Sequence, residues 1–152
     1  MKFSLPLIAA CAALLTVTLT GCGGGADSAG PPAGQAANPA SLTKTDTTVG
    51  TGAEAATGKT IKVHYTGWLY SPGATGFKGT QFDSSIGKPA PYSFKLGAGA
   101  VIPGFEQGIL GMKVGGKRTI LIPSNLGYGA SGYGNIPPNT GLVFDVELIE
   151  AI

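Results

Sequence analysis

What this chain has little of narrows its chemistry at once. Both cysteines, Cys11 and Cys22, fall within the first 22 residues, so the rest of the chain holds no disulfide. The single histidine, His64, has no cysteine near it in the sequence, which leaves no ligand cluster for a structural or catalytic metal. Charge is scarce too, with 10 Lys and Arg against 8 Asp and Glu for a formal net charge of +2. The basic residues are scattered rather than gathered into a patch, so nucleic-acid binding has no support. No apolar run reaches the roughly 20 residues that a membrane-spanning helix needs.

What is present divides the chain into three parts. Met1-Lys2 and the apolar run over residues 5–19 read as a signal peptide covering residues 1–21. The run ends in Leu19-Thr20-Gly21-Cys22, which resembles the lipobox of bacterial lipoproteins and would make Cys22 a lipidated first residue. Ordinary cleavage at a small residue, with Cys22 incidental, is the alternative. The lipoprotein resemblance also implies, through Gly23 standing where Asp would retain the protein, export towards an outer membrane with the domain facing the periplasm or exterior. Residues 22–44 are rich in Gly, Ala, Pro, Ser and Asn. Such a segment cannot bury enough surface to offset its ordering entropy and is expected to be a flexible tether. Its r.m.s. reach is about 25 Å for roughly 20 residues.

From residue 45 to residue 152 the pattern is globular. Thr47-Thr48-Val49 reads as a first strand. Ile61, Val63 and Tyr65 alternate with Lys62, His64 and Thr66, and Leu142, Phe144, Val146 and Leu148 recur every second position with the acids Asp145 and Glu147 outward. Tyr92-Ser93-Phe94-Lys95-Leu96 and residues 117–122 supply two further strands, and the Gly- and Pro-containing stretch over residues 70–81 reads as a loop or bulged excursion. Between them Phe105, Ile109 and Met112 fall at i, i+4 and i+7, one face of a short helix. Pro103 suits its first position, and Gly115-Gly116 is expected to stop it. Gly108 and Gly111 lower helix propensity by roughly 1 kcal/mol each, a cost that a sheet lying close to the helix backbone would explain. About five strands and one helix give an antiparallel α+β domain.

Two familiar motifs fail. Gly127-Tyr128-Gly129-Ala130-Ser131-Gly132 matches G-x-G-x-x-G, but no helix pattern follows and no βαβ unit surrounds it. A Ser-His-Asp hydrolase would need His64 as base, and the alternation of its strand turns His64 away from the core.

One constellation holds. Aromatic and aliphatic residues cluster next to the Gly- and Pro-rich loops: Tyr65, Phe82, Tyr92, Val101, Ile102, Phe105, Tyr128, Ile136 and Phe144. The segments Val63-His64-Tyr65-Thr66-Gly67, Phe82-Asp83-Ser84-Ser85, Val101-Ile102-Pro103-Gly104-Phe105-Glu106-Gln107-Gly108, Gly127-Tyr128-Gly129-Ala130, Ile136-Pro137-Pro138 and residues 142–148 together resemble the FKBP-type peptidyl-prolyl isomerases. The resemblance covers most of residues 45–152. It implies a five-stranded antiparallel sheet curled around one short helix, with an apolar pocket between them. Phe105 would be the pocket floor, Tyr65, Phe82, Tyr92 and Phe144 its walls, and Val101 and Ile102 its rim. The Ile102 amide and Tyr128 hydroxyl would hold substrate carbonyls, Asp83 would supply a polar edge, and Ile136 would add a further contact.

Tyr65, Asp83, Phe105, Tyr128 and Phe144 are therefore expected at the catalytic centre, without metal or cofactor. Proline-containing polypeptides would be the substrates and macrolides such as rapamycin the inhibitors, with the membrane reached through the lipid on Cys22. Three departures from the family stand out: Phe105 where Trp is frequent, a longer stretch over residues 70–81, and Tyr133-Gly134-Asn135 before Ile136. A module that holds proline segments without isomerising them, and a purely structural lipoprotein, are the rival readings.

Overall fold

The computed structural model describes residues 37–152. The signal peptide expected at 1–21, the lipidation expected at Cys22 and the expected tether up to residue 36 lie outside the described residues. Six strands form one antiparallel sheet: β1 Thr43–Thr48, β2 Thr60–Tyr70, β3 Lys78–Ser84, β4 Tyr92–Lys95, β5 Lys117–Ile122 and β6 Leu142–Ala151. Their order is β1-β5-β6-β2-β3, with β4 pairing β2 as well. Strand β2 can serve both because it uses one edge twice. Its first residues, Thr60 to Val63, meet β4, and the stretch from Thr66 to Tyr70 meets β3.

Helix α1, Pro103–Ile109, lies against the inner face. That face is built by alternation: Ile61 and Val63 from β2, Ile120 and Ile122 from β5, and Leu142, Phe144, Val146 and Leu148 from β6 all point inward and are buried. Burying each such side chain contributes about 1.5–3 kcal/mol. Val143 is buried on the other face, where its cross-strand partners Trp68 and Leu121 flank it.

The helix sits close because its glycines allow it. A Cβ on Gly108 would stand 2.5 Å from Ile120 Cδ1, and one on Gly104 would stand 2.3 Å from Ile122 Cγ2. Arg118, on the inner face of β5, closes the other end. Its guanidinium donates to the carbonyls of Gly108 at 2.8 Å and Leu110 at 3.2 Å, where the helix end is negative, and forks onto both Asp46 carboxylate oxygens.

Four boundaries differ from the sequence reading, each for a local reason. The folded part starts earlier than residue 45: β1 begins at Thr43, and Ala37–Pro39 already pack on Gly141. Composition hid this, since all six residues of β1 are exposed on the sheet edge and carry no apolar signal. Val49 lies beyond the strand, exposed. The helix ends at Ile109 rather than before Gly115; Gly111 adopts φ +80° and breaks it, while Met112 reaches the core from the following turn. Gly111 is thus a conformational requirement rather than a packing one, since nothing lies within 4 Å of its missing Cβ. Finally, the excursion after Tyr70 narrows to a turn over residues 71–77. Lys78 already starts β3, whose register slips twice against β2, and this makes the sixth strand.

Candidate functional site

The turn into α1 sets the floor of the site. Ile102 precedes the helix, and its carbonyl accepts the N–H groups of Phe105 at 3.0 Å and Glu106 at 3.2 Å. Pro103, without an N–H, fits the first helical position. Glu106 turns its side chain back to accept the Gly99 N–H at 3.1 Å, fixing the approach to the helix. Phe105 is thereby driven into the sheet, 4% exposed, with its ring 5.0 Å from Phe144, 5.8 Å from Tyr65 and 5.9 Å from Phe94. Phe82 meets Phe144 edge-on at 5.6 Å, and Tyr92 meets Tyr65 at 5.7 Å. Such edge-to-face pairs each add about 0.5–1.5 kcal/mol beyond area burial, so the cage holds its own shape. Gly67 makes room for it, since a Cβ there would lie 2.6 Å from Phe82 Cζ and 2.8 Å from Phe144 Cε1.

Above Phe105 opens a hollow of about 230 Å³, lined by Tyr65, Phe82, Asp83, Tyr92, Val101, Ile102, Phe105, Tyr128 and Phe144, together with Ala100. Nine of the ten pocket residues read from the sequence thus come together. The tenth, Ile136, does not line this hollow. It is buried beneath an adjoining one of about 260 Å³, which shares Phe82, Asp83 and Tyr128 and adds Tyr133, Gly134 and Asn135. Tyr133 and Ile136 close a tight turn by exchanging backbone hydrogen bonds of 3.0 and 2.8 Å, and the Tyr133 ring stacks on Tyr128 at 5.1 Å. Sequence reasoning gave Tyr133 no role; an aromatic in a Gly-rich loop beside a pocket residue was the available signal.

The polar edge is organised around Asp83. Its carboxylate accepts the Tyr65 hydroxyl at 2.5 Å and the Ser84 N–H at 2.8 Å, with Lys88 at 3.4 Å. Burial works to raise the Asp83 carboxyl, but these donors prevail and hold it below the usual carboxylate range. Burial, with the Asp83 carboxylate as second cause, pushes the Tyr65 phenol well above its ordinary value. Burial, followed by the nearby Tyr133, raises Tyr128 as well. Around neutral pH the hollow therefore presents one fixed carboxylate and neutral phenols. Among the described residues, neither the Ile102 N–H nor the Tyr128 hydroxyl has a hydrogen-bond partner, and both residues line the hollow.

His64 lies on the other sheet face, as its strand alternation requires, yet it is half-buried rather than free in solvent. Its Nδ1 stands 3.3 Å from Ser85 Oγ, which accepts the Tyr65 backbone N–H at 2.8 Å. Ser85 is 2% exposed and occupied with strand β2, and among the described residues no carboxylate hydrogen-bonds the imidazole, so the pair is structural. That outer face carries a larger hollow of about 630 Å³ among His64, Trp68, Lys78, Lys117, Thr119, Asp145 and Glu147. Among the described residues no group of His, Cys, Asp and Glu has a metal-holding arrangement.

An aromatic cage with two open donors and no poised nucleophile defines a site for an apolar ring flanked by carbonyls. Consistent with that class, the sequence profile of the FKBP-type peptidyl-prolyl cis-trans isomerases matches residues 52–149, and the chain belongs to that family of enzymes. An FK506-binding protein of Neisseria meningitidis serogroup A is 50% identical over 72% of this chain and 95% of its own length. The peptidyl-prolyl cis-trans isomerase FPR2 of Saccharomyces cerevisiae is 51% identical over 61% of this chain and 65% of its own length. The crystal structure of AtFKBP13 superposes with a TM-score of 0.64 at 40% identity, covering 77% of this chain and 98% of that one.

Proposed function

We propose that this isomerase rotates X–Pro bonds of exported polypeptides in the Phe105 hollow, by desolvation and selective binding of the twisted amide, while held to a membrane through Cys22. The observation that carries the chemical part is the aromatic cage closed below by Phe105, with two donors at its edge that have no partner among the described residues. An X–Pro bond prefers trans by only about 0.5–1 kcal/mol, yet rotation faces a barrier of about 18–20 kcal/mol from amide resonance. Resonance puts negative charge on the carbonyl oxygen, and water stabilises that charge more in the planar ground state than in the twisted one. Moving the bond into the cage removes that water, and each ~1.4 kcal/mol gained is tenfold in rate. The Ile102 N–H and Tyr128 hydroxyl hold the flanking carbonyls, Tyr65 and Asp83 form the polar edge, Phe82, Tyr92, Val101 and Phe144 shape the walls, and Ile136 supports the adjoining hollow. The same cage would admit macrolides such as rapamycin.

No proton moves in such a step, which gives a direct test. Asp83 stays charged and Tyr65 and Tyr128 stay neutral between about pH 6 and 8, because the carboxylate is shifted down and the phenols up. A protease-free assay on a Pro peptide should give kcat/KM nearly flat across that window and little solvent deuterium effect. A bell or sigmoid in pH would sink the mechanism in favour of acid–base chemistry.

The anchoring part rests on the leader, the Leu19-Thr20-Gly21-Cys22 tetrad and the tether composition. A single acyl chain binds membranes only marginally, so anchorage requires more than one. Cys22→Ala should shift the protein from the membrane fraction to the soluble one. A wild-type protein already in the soluble fraction would end this reading.

A further inference from the structure

The segment just ahead of β1 is joined to the loop that carries Tyr128. The Asn38 amide nitrogen donates to the Asn139 carbonyl at 2.7 Å and to Ser124 Oγ at 3.0 Å, and its Oδ1 accepts the Ser124 N–H at 2.8 Å. On either side of Asn38, the Ala37 carbonyl accepts the Gly141 N–H at 2.9 Å, and Pro39 is buried against Gly141, where a Cβ would meet Pro39 Cδ at 2.3 Å. One side chain thus ties the outgoing stem of the loop, at Ser124, to its returning stem, at Asn139. The connection continues inward, because the Asn139 N–H donates to the Gly129 carbonyl at 2.8 Å, one residue from Tyr128. Asn139 itself sits at φ +55°, an uncommon conformation outside glycine that its neighbours must hold in place.

We propose that Asn38 is a positioning residue for the prolyl site: it clasps both stems of the loop and so fixes where the Tyr128 hydroxyl and the Ile136 turn stand relative to Phe105. Asn38 precedes the span matched by the family profile, which starts at residue 52, and it lies in the stretch that composition assigns to the tether. Site geometry in this chain is therefore completed by residues outside the catalytic domain as its sequence pattern defines it. The inference rests on the role given above to Tyr128.

The test uses the full chain with Asn38→Ala, and Ser124→Ala as a milder variant that removes one of the three bonds. Amide hydrogen exchange at Ser124 and Asn139 should quicken at least tenfold in Asn38→Ala and less in Ser124→Ala, while Phe144 and Ile120 in the sheet exchange as in wild type. KM for a Pro peptide should rise about three- to tenfold with kcat changed less than twofold, because the floor and walls are untouched. Unchanged exchange at Ser124 and Asn139 would show that the clasp does not hold the loop, and faster exchange with wild-type kinetics would show that the loop does not position the site. Either result overturns the proposal. Tyr128→Phe measured alongside isolates the underlying reading. If that variant keeps wild-type kinetics, the carbonyl-holding role of Tyr128 falls, and the clasp is then judged on the exchange and KM of the Asn38 variant alone.

Discussion

The two faces of the sheet each carry a hollow, and the larger is the less interesting. The outer one, about 630 Å³, is bordered by groups that already satisfy one another. Lys78 pairs with Asp145 at 2.6 Å and lies over the Trp68 ring at 4.7 Å, Thr119 donates to the same carboxylate at 2.8 Å, and Lys117 faces Glu147 at 3.4 Å. The inner one, about 230 Å³, has rigid aromatic walls and two donors without partners. Binding there exchanges water for a ring and two carbonyls, whereas binding outside must first break pairs that exist. Unmet hydrogen-bonding capacity within an apolar wall, rather than volume, separates a reactive cavity from a groove between strands.

Substitutions on the inner face should be severe. Phe105→Ala removes the ring on which Tyr65, Phe94 and Phe144 rest, and truncations of this kind cost about 3–5 kcal/mol. Urea unfolding should register that loss together with loss of isomerase activity, while Phe105→Trp should keep the fold and most of the activity. A folded Phe105→Ala protein with full activity would remove Phe105 from the site. Next in size is Gly108→Ala, which drives a methyl into Ile120 and should cost about 1–3 kcal/mol by overpacking, in spite of the gain in helix propensity. Equal or greater stability by the same measurement would mean that helix and sheet are not in the close contact described. Smallest is the outer face. His64→Ala should leave kcat/KM within about twofold, a barrier change of only ~0.4 kcal/mol. A larger loss in folded protein would make the outer face part of the catalysis.

The parts legible from sequence were those governed by period and by ring chemistry. Alternation of Ile61, Val63 and Tyr65 and of Leu142, Phe144, Val146 and Leu148 located the central strands, because a strand that packs one face on a core must show it, even though Val143 is buried on the other face. The aromatic set converged because several rings beside glycine-rich loops have few places to pack. What escaped were features written in backbone rather than side chain. Strand β1 is polar throughout and belongs to the sheet through its backbone pairing with β5. Gly111 and Gly108 look alike in sequence, yet one breaks the helix by its φ and the other admits a sheet. Asn38 matters through partners far along the chain, with Ser124 86 residues away, a separation that no local pattern encodes.

The position of β6 has a consequence for how the molecule is made. Strand β6, the last of the six described, is not an edge but lies between β5 and β2, pairing Ile61 with Ala151 at one end and Leu69 with Leu142 at the other. Until those final residues are available, β2 and β5 have no common neighbour and the sheet remains in two pieces. Closing it joins segments separated by most of the domain, the kind of non-local pairing that slows folding. A chain emerging N-terminus first therefore holds its sheet in two pieces until the ten residues of β6, Leu142–Ala151, arrive to fill the gap. The aromatic cage, which needs Phe144, is complete only then.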